Sequence, residues 1–223
     1  MIPTTGEKLY DAAMRLPAVV FEGYFLVREL IGVFSFVAAH PYFGGDWVFF
    51  ISLAARVSLV IFLALLMVLL LFRRRPVRKY EAWIPKLTAL GGMVFTYFIL
   101  LTPRAESHPA WDGASTFLML LGCTLAIVAV IDLGRSLSVM PEARKLVIEG
   151  LYRTVRHPLY LAEEIAVIGL YLQFRSWQAT LILVVHFFLQ LRRMHWEEGI
   201  LASEFPEYGV YKSRTWRLIP GIY

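Results

Sequence analysis

Residues 47–72 read WVFFISLAARVSLVIFLALLMVLLLF, twenty-six positions carrying one charge, Arg56. A run of about 20 apolar residues at ~1.5 Å each crosses the ~30 Å hydrocarbon core of a bilayer. Backbone in that core must satisfy its own hydrogen bonds, and a continuous apolar run without strand alternation does so as a helix. Residues 83–102 and 113–133 make two more such runs, joined by PRAESHPAWD. The chain is 58% hydrophobic and only 17% charged, with a mean hydropathy of +0.61. A soluble domain has about a quarter of its residues charged. The fold expected is therefore all-α: a polytopic integral membrane helical bundle.

The remaining runs set the number of crossings. Residues 18–40 are apolar but hold Glu22, Arg28 and Glu29, and read as a span with a polar face turned inward, the alternative being an interfacial helix. Residues 159–174 and 177–191 are short, each about 24 Å as helix, and read as a tight hairpin followed by a polar tail from Arg192. Five or six transmembrane helices result. With six, eighteen Lys and Arg fall on one side, including the knot Arg73, Arg74, Arg75, Arg78 and Lys79, and only Arg104 and Arg175 on the other. That asymmetry places the 134–157 loop and the tail in the cytoplasm. It also accounts for the formal net charge of +5 without a nucleic-acid partner, and none is expected. The N-terminus lacks a signal peptide's pattern. Cys123 is the only cysteine, which excludes disulfides and a cysteine metal cluster, and no metal is expected.

The stretch Leu146 to Glu164, LVIEGLYRTVRHPLYLAEE, concentrates ionisable groups in an otherwise apolar chain. Gly150 permits a sharp reversal. Pro158 pushes His157 out of helical geometry and suits the first turn of a helix. The amides of Leu159, Tyr160 and Leu161 then point out of the helix start, where an anion binds readily. The antiparallel hairpin returns RRMHWEE to the level of RTVRHPLY. Together the two clusters suit a zwitterionic ligand: an anionic end on Arg156 and the amides, an ammonium on Glu197 or Glu198, and a further cationic centre against a tyrosine ring.

The pattern LV-x-x-G-x-Y-R-x-V-R-H-P-x-Y, then EE-x-x-L-x-x-x-F-x-E-Y-x-x-Y and a closing R-L-I-P, resembles the isoprenylcysteine carboxyl methyltransferase family. Its wider relatives include phospholipid N-methyltransferases and membrane thiol methyltransferases. The likeness covers residues 133–220. It implies S-adenosylmethionine as cofactor, held on the cytosolic side by the C-terminal half (residues 133–223). Residues 1–132 would then form the acceptor side of the same membrane domain. The residues this assigns to the cofactor are Tyr152, His157, Leu159, Tyr160, Glu197 and Glu198. Arg156, Glu198 and Glu164 are the catalytic candidates, and Arg56, Glu163 and Arg217 the substrate-binding ones. Ala162 and Glu163 depart from relatives that carry a glycine after the Y-x pair, so helix packing there is expected to differ.

The implied acceptor is lipophilic or lipid-linked and reaches the cofactor through a gap between helices, with membrane lipids as neighbours. A prenylcysteine-type carboxylate is the first choice, then a lipid amine, then a small thiol. Methyl transfer from a sulfonium to an anion annihilates charge, so a dry pocket favours it. An amine acceptor must first lose a proton, for which Glu198 or Glu164 is the base. Against these roles stand plainer ones: arginines at lipid phosphates, interfacial tyrosines, a solvated Glu pair, Arg217 anchoring the tail, and His186 bonded to a neighbouring helix. Two rival functions are a membrane sterol or enone reductase using NADPH, whose motif has asparagine where Leu159 stands, and a non-catalytic lipid-binding protein.

Overall fold

In the computed structural model, residues 5–39, 47–74, 76–80, 82–106 and 108–223 are described. Arg75 of the basic knot, His40 at the end of the first apolar run and Ser107 in the PRAESHPAWD connection lie outside them. Among the described residues there are seven α-helices: α1 (Thr5–Ala38), α2 (Trp47–Phe72), α3 (Trp83–Val94), α4 (Pro109–Leu133), α5 (Pro158–Tyr171), α6 (Trp177–Glu204) and α7 (Tyr208–Arg214). Helix α3 tightens into a 3-10 segment, Phe95–Leu101. Among the described residues, three stretches are long and apolar enough to cross a membrane: Phe49–Phe72, Trp83–Leu101 and Pro109–Ser136. An all-α membrane fold is what the apolar runs foretold.

Small residues seat α5 on α4. A Cβ at Gly122 would lie 2.5 Å from the Ala166 amide nitrogen and 2.7 Å from the Ala162 carbonyl. Farther along, Ser115 Oγ donates to the Gly169 carbonyl at 2.7 Å. Between apolar helices in lipid, such close approach is what dispersion and short hydrogen bonds can stabilise. The glycine missing beside Ala162 is thus supplied by the facing helix, and Ala162 is fully buried there.

The hairpin departs from the tight pair expected. Helix α5 packs chiefly on α4, and α6 on α3 and its 3-10 extension. The two hairpin arms meet over a smaller area, through apolar clusters such as Tyr160 with Met194 and through polar side chains. The polar tail expected from Arg192 begins as helix, because α6 continues to Glu204 as one 28-residue helix of about 42 Å. A helix outside the hydrocarbon needs no apolar sequence, so the charged run extends the rod beyond the apolar layer. At the hairpin turn Arg175 takes a positive φ of 36°, and Ser176 caps α6 by accepting from the Ala179 amide at 3.1 Å.

The 134–157 loop is also more ordered than a polar connection. Two short strands, β1 (Arg78–Lys79) and β2 (Glu142–Ala143), pair antiparallel and bind it to the segment after α2. Gly150 has φ +60°, and a Cβ there would fall on the Asp132 carboxylate. That carboxylate accepts from the Leu151 amide at 2.8 Å, starting a 3-10 turn over Gly150–Arg153. The end of the loop pairs with the tail: the Arg156 amide donates to the Trp216 carbonyl at 2.8 Å and the His157 amide to the Arg217 carbonyl at 3.2 Å.

Candidate functional site

The loop, the start of α5, the last third of α6 and the tail converge at one end of the bundle. Arg156 Nε stands 2.9 Å from Glu198 Oε1, although the residues are 42 positions apart. The same oxygen receives Arg217 Nε at 3.2 Å and lies 3.2 Å from His157 Nε2, while Lys212 Nζ is 3.3 Å from Oε2. Burial disfavours the Glu198 anion, but the hydrogen bond and charge of His157, then Arg156 and Arg217, outweigh it and hold the carboxyl well below its usual range. Glu198 therefore braces the loop and tail.

Arg156 shares that task. Its Nη1 donates to the carbonyls of Lys212 at 3.0 Å and Thr215 at 2.6 Å. Arg217 pairs with Glu198 and lies over the Tyr223 ring at 5.4 Å. Tyr211 closes the clamp from α7, donating to the Tyr152 carbonyl at 2.7 Å; burial, partly offset by Arg156, pushes its phenol up to about 12.

Glu197, one position earlier on α6, faces elsewhere. It accepts from the Tyr160 hydroxyl, and its Oε2 lies 3.9 Å from His157 Nδ1. The His157 and Tyr160 rings stack at 5.5 Å, and Arg193 covers Tyr160 at 4.8 Å from the ring centre. Glu197, Tyr160, His157, Leu159 and Tyr152 line a cavity of about 920 Å³ that continues into the bundle between α1, α2, α4 and α5. Glu198 and Arg217 do not line it, whereas one edge of Arg156 does. Of the amides at the start of α5, that of Leu161 is already bonded to the His157 carbonyl at 3.1 Å, leaving Leu159 and Tyr160 ahead of the helical ladder.

The polar contacts continue down the hairpin as a ladder. Gln190 Nε2 donates to Glu163 Oε2 at 2.9 Å, and Arg193 Nη1 donates to Gln190 Oε1 at 2.9 Å. Glu163 lines the cavity, but Glu164 turns away from it and meets His186, with Oε1 and Nε2 3.3 Å apart. The catalytic base expected at Glu164 is therefore not at the cavity wall. His186 bonds Thr96 on the neighbouring segment at 2.8 Å, in line with its plainer reading. Arg56 lines the far part of the cavity and lies over the Phe36 ring at 4.8 Å. Sequence reasoning missed Gln190 and the inward face of Arg193, although His186, Gln190, Arg193 and Glu197 repeat at helical spacing along one stripe.

A helical membrane protein with an internal cavity lined by both apolar and ionisable side chains is the class this architecture defines. Residues 112–207, which include α5, α6, nearly all of α4 and the loop before α5, match the family described as Phospholipid methyltransferase. The match covers less than half of the chain, in the part that carries the motifs. The chain is similar to the cobalt-zinc-cadmium resistance protein CzcN of Cupriavidus metallidurans, 32% identical over 120 residues, 52% of this chain and 56% of that protein. It is also similar to the nickel-cobalt-cadmium resistance protein NccN of Alcaligenes xylosoxydans xylosoxydans, 28% identical over 125 residues, 55% of this chain and 58% of that protein. The chain thus spans little more than half the length of these curated relatives.

Proposed function

We propose that the protein is an S-adenosylmethionine-dependent methyltransferase that acts within the membrane on a lipophilic acceptor. One observation carries the reading: His157, Tyr160 and Glu197, drawn from both motifs, converge on the wall of the cavity that continues into the apolar interior. The charge asymmetry of the loops supports a cytoplasmic position for this end, where a soluble nucleotide cofactor is available.

The residues fit such a group. A cavity of about 920 Å³ is within the size range of small-molecule sites, roughly 300–1,000 Å³. Glu197 offers a carboxylate to an ammonium, and the Leu159 and Tyr160 amides offer donors to a carboxylate. The buried Tyr208 hydroxyl lies on the same wall without a hydrogen-bond partner among the described residues. When bound, the cofactor supplies an electrophilic methyl group on a sulfonium sulfur. The chain contributes position and a partly apolar wall: Glu198 and its cations lock the loop, and side chains such as Leu59, Leu63 and Met119 limit water beside the acceptor. The relatives' names concern metal resistance; among the described residues no group of three or more His, Cys, Asp or Glu side chains gathers to hold a metal ion.

Calorimetry on the detergent-purified chain tests the reading. S-adenosylhomocysteine should bind, and Glu197→Gln should weaken it at least tenfold. Binding of reduced nicotinamide dinucleotide alone would establish the reductase reading instead.

A further inference from the structure

The cavity does not end in the apolar interior. On α4 its lining recurs at helical spacing through Asp112, Ser115, Met119, Cys123, Ala126 and Leu133, a rise of about 31 Å, the full thickness of the hydrocarbon. The end remote from Tyr160 and Glu197 is polar. Thr102 and Arg104 line it from the connection before α4, Asp112, Ser115 and Thr116 from α4 itself, and Gln173 from just past α5. Gln173 bridges these elements: its Oε1 accepts from Arg104 Nη2 at 3.0 Å and its Nε2 donates to Ser115 Oγ at 3.0 Å. Ser115, 1% exposed, donates in turn to the Gly169 carbonyl at 2.7 Å. Arg104 is exposed and also lines the cavity, so the lining reaches the protein surface at this end.

A volume of about 920 Å³ over that length leaves a mean cross-section of roughly 30 Å², room for one slender molecule at a time. A hydrocarbon chain ending at this rim would take Gln173 and Ser115 from their partners and return none. Water or a polar solute exchanges hydrogen bonds one for another. The formal charges of Arg104 and Asp112 cancel, so the rim has no net charge from this pair to repel a solute of either sign. We propose that this end is a narrow port, latched by Gln173 between Arg104 and Ser115, that admits small water-soluble molecules from the membrane face opposite the cofactor end. The port stands without the methyltransferase reading and goes beyond it. Joined to that reading, it gives the cavity a methyl acceptor delivered from one face and a cofactor held at the other, and extends the acceptors to water-soluble ones.

The test uses the full chain in sealed membrane vesicles, with Cys123→Ser removing its single thiol. In that background Glu106→Cys, on the exposed connection, marks the vesicles that turn the port outward. In those vesicles Thr116→Cys should react with a membrane-impermeant trimethylammonium-ethyl methanethiosulfonate at least tenfold faster than Phe117→Cys, the neighbouring position, which is 60% exposed on the outside of the bundle. Adding Gln173→Ala should speed the Thr116→Cys reaction at least threefold, and a maleimide carried on a large polyether should not enter. Two results overturn the port: Thr116→Cys reacting no faster than Phe117→Cys with the latch intact and with it removed, or Thr116→Cys reacting readily with the polyether maleimide, which would make the position open surface. Calorimetry with S-adenosylhomocysteine on the same proteins separates the two readings. Labelling at Thr116→Cys should leave that affinity within twofold. If the thiol labels through the port but the unaltered chain binds no S-adenosylhomocysteine, the methyltransferase reading fails and the port stands; the converse result removes the port alone.

Discussion

Adjacent glutamates on α6 should fail in different ways. Glu198 has a side chain 8% exposed, and it meets Arg156, Arg217 and Lys212 together with His157. Replacing it with alanine leaves Arg156 (10% exposed) and Arg217 (17%) beside His157 with no anion to hold them. Removing one partner of a buried ion pair costs about 3–5 kcal/mol, and the outer edge of this cluster places the value near the lower bound. For a chain of this size about 3 kcal/mol corresponds to a fall of roughly 6–12 °C in the unfolding midpoint. The tail should be released as well, since Arg156 also holds the Lys212 and Thr215 carbonyls. Glu197 makes its contacts at the cavity wall, so Glu197→Gln should shift the midpoint by less than about 2 °C while weakening S-adenosylhomocysteine binding. Thermal unfolding in detergent, limited proteolysis around Ser213–Thr215 and calorimetry read the three quantities separately. The assignment of brace and ligand is refuted if Glu198→Ala keeps its midpoint and its protease resistance, or if Glu197→Gln loses both.

Gly122→Leu should force α4 and α5 apart, because even its Cβ would sit 2.5 Å from the Ala166 nitrogen. Overpacking of this kind costs about 1–3 kcal/mol, and the shift of α5 should lower methyl transfer more than cofactor affinity, as separate kcat and KM measurements would show. Acid should loosen the clamp. Glu198 has a folded pKa below its ordinary 4.5, so its contribution is fully present above pH 4.5 and is lost as pH falls toward the folded value. Unfolding midpoints between pH 7 and 3 should therefore drop, and the drop should shrink in Glu198→Gln.

The apolar runs located three of the membrane-length helices closely because hydrocarbon leaves the backbone few alternatives. Gly150 and Pro158 gave the turn and the start of α5 for equally local reasons, and both are where the residues required them. What lay outside the membrane was harder to read. The run RRMHWEEG carries no apolar signal, and only the stripe His186, Gln190, Arg193, Glu197 marked it as continuing helix. The pairing of α5 with α4 was not legible either, because Gly122 and Ala162 are small residues forty positions apart. The same holds for the division of labour in the EE pair. Neighbouring helical positions point about 100° apart, and which one meets the cavity depends on where the tail docks.

Helix α6 is a single rigid lever. From Trp177 to Glu197 is about 30 Å, so a tilt of ~10° at the hairpin turn would swing the Glu197 carboxylate through roughly 5 Å, more than a hydrogen bond's length. The pivot is held by Arg175, whose Nη1 and Nη2 reach the Leu172 and Glu106 carbonyls at 2.7 and 2.8 Å and whose guanidinium rests on Trp111. The position of Glu197 at one rim of the bundle thereby depends on the opposite rim, on an arginine that does not line the cavity.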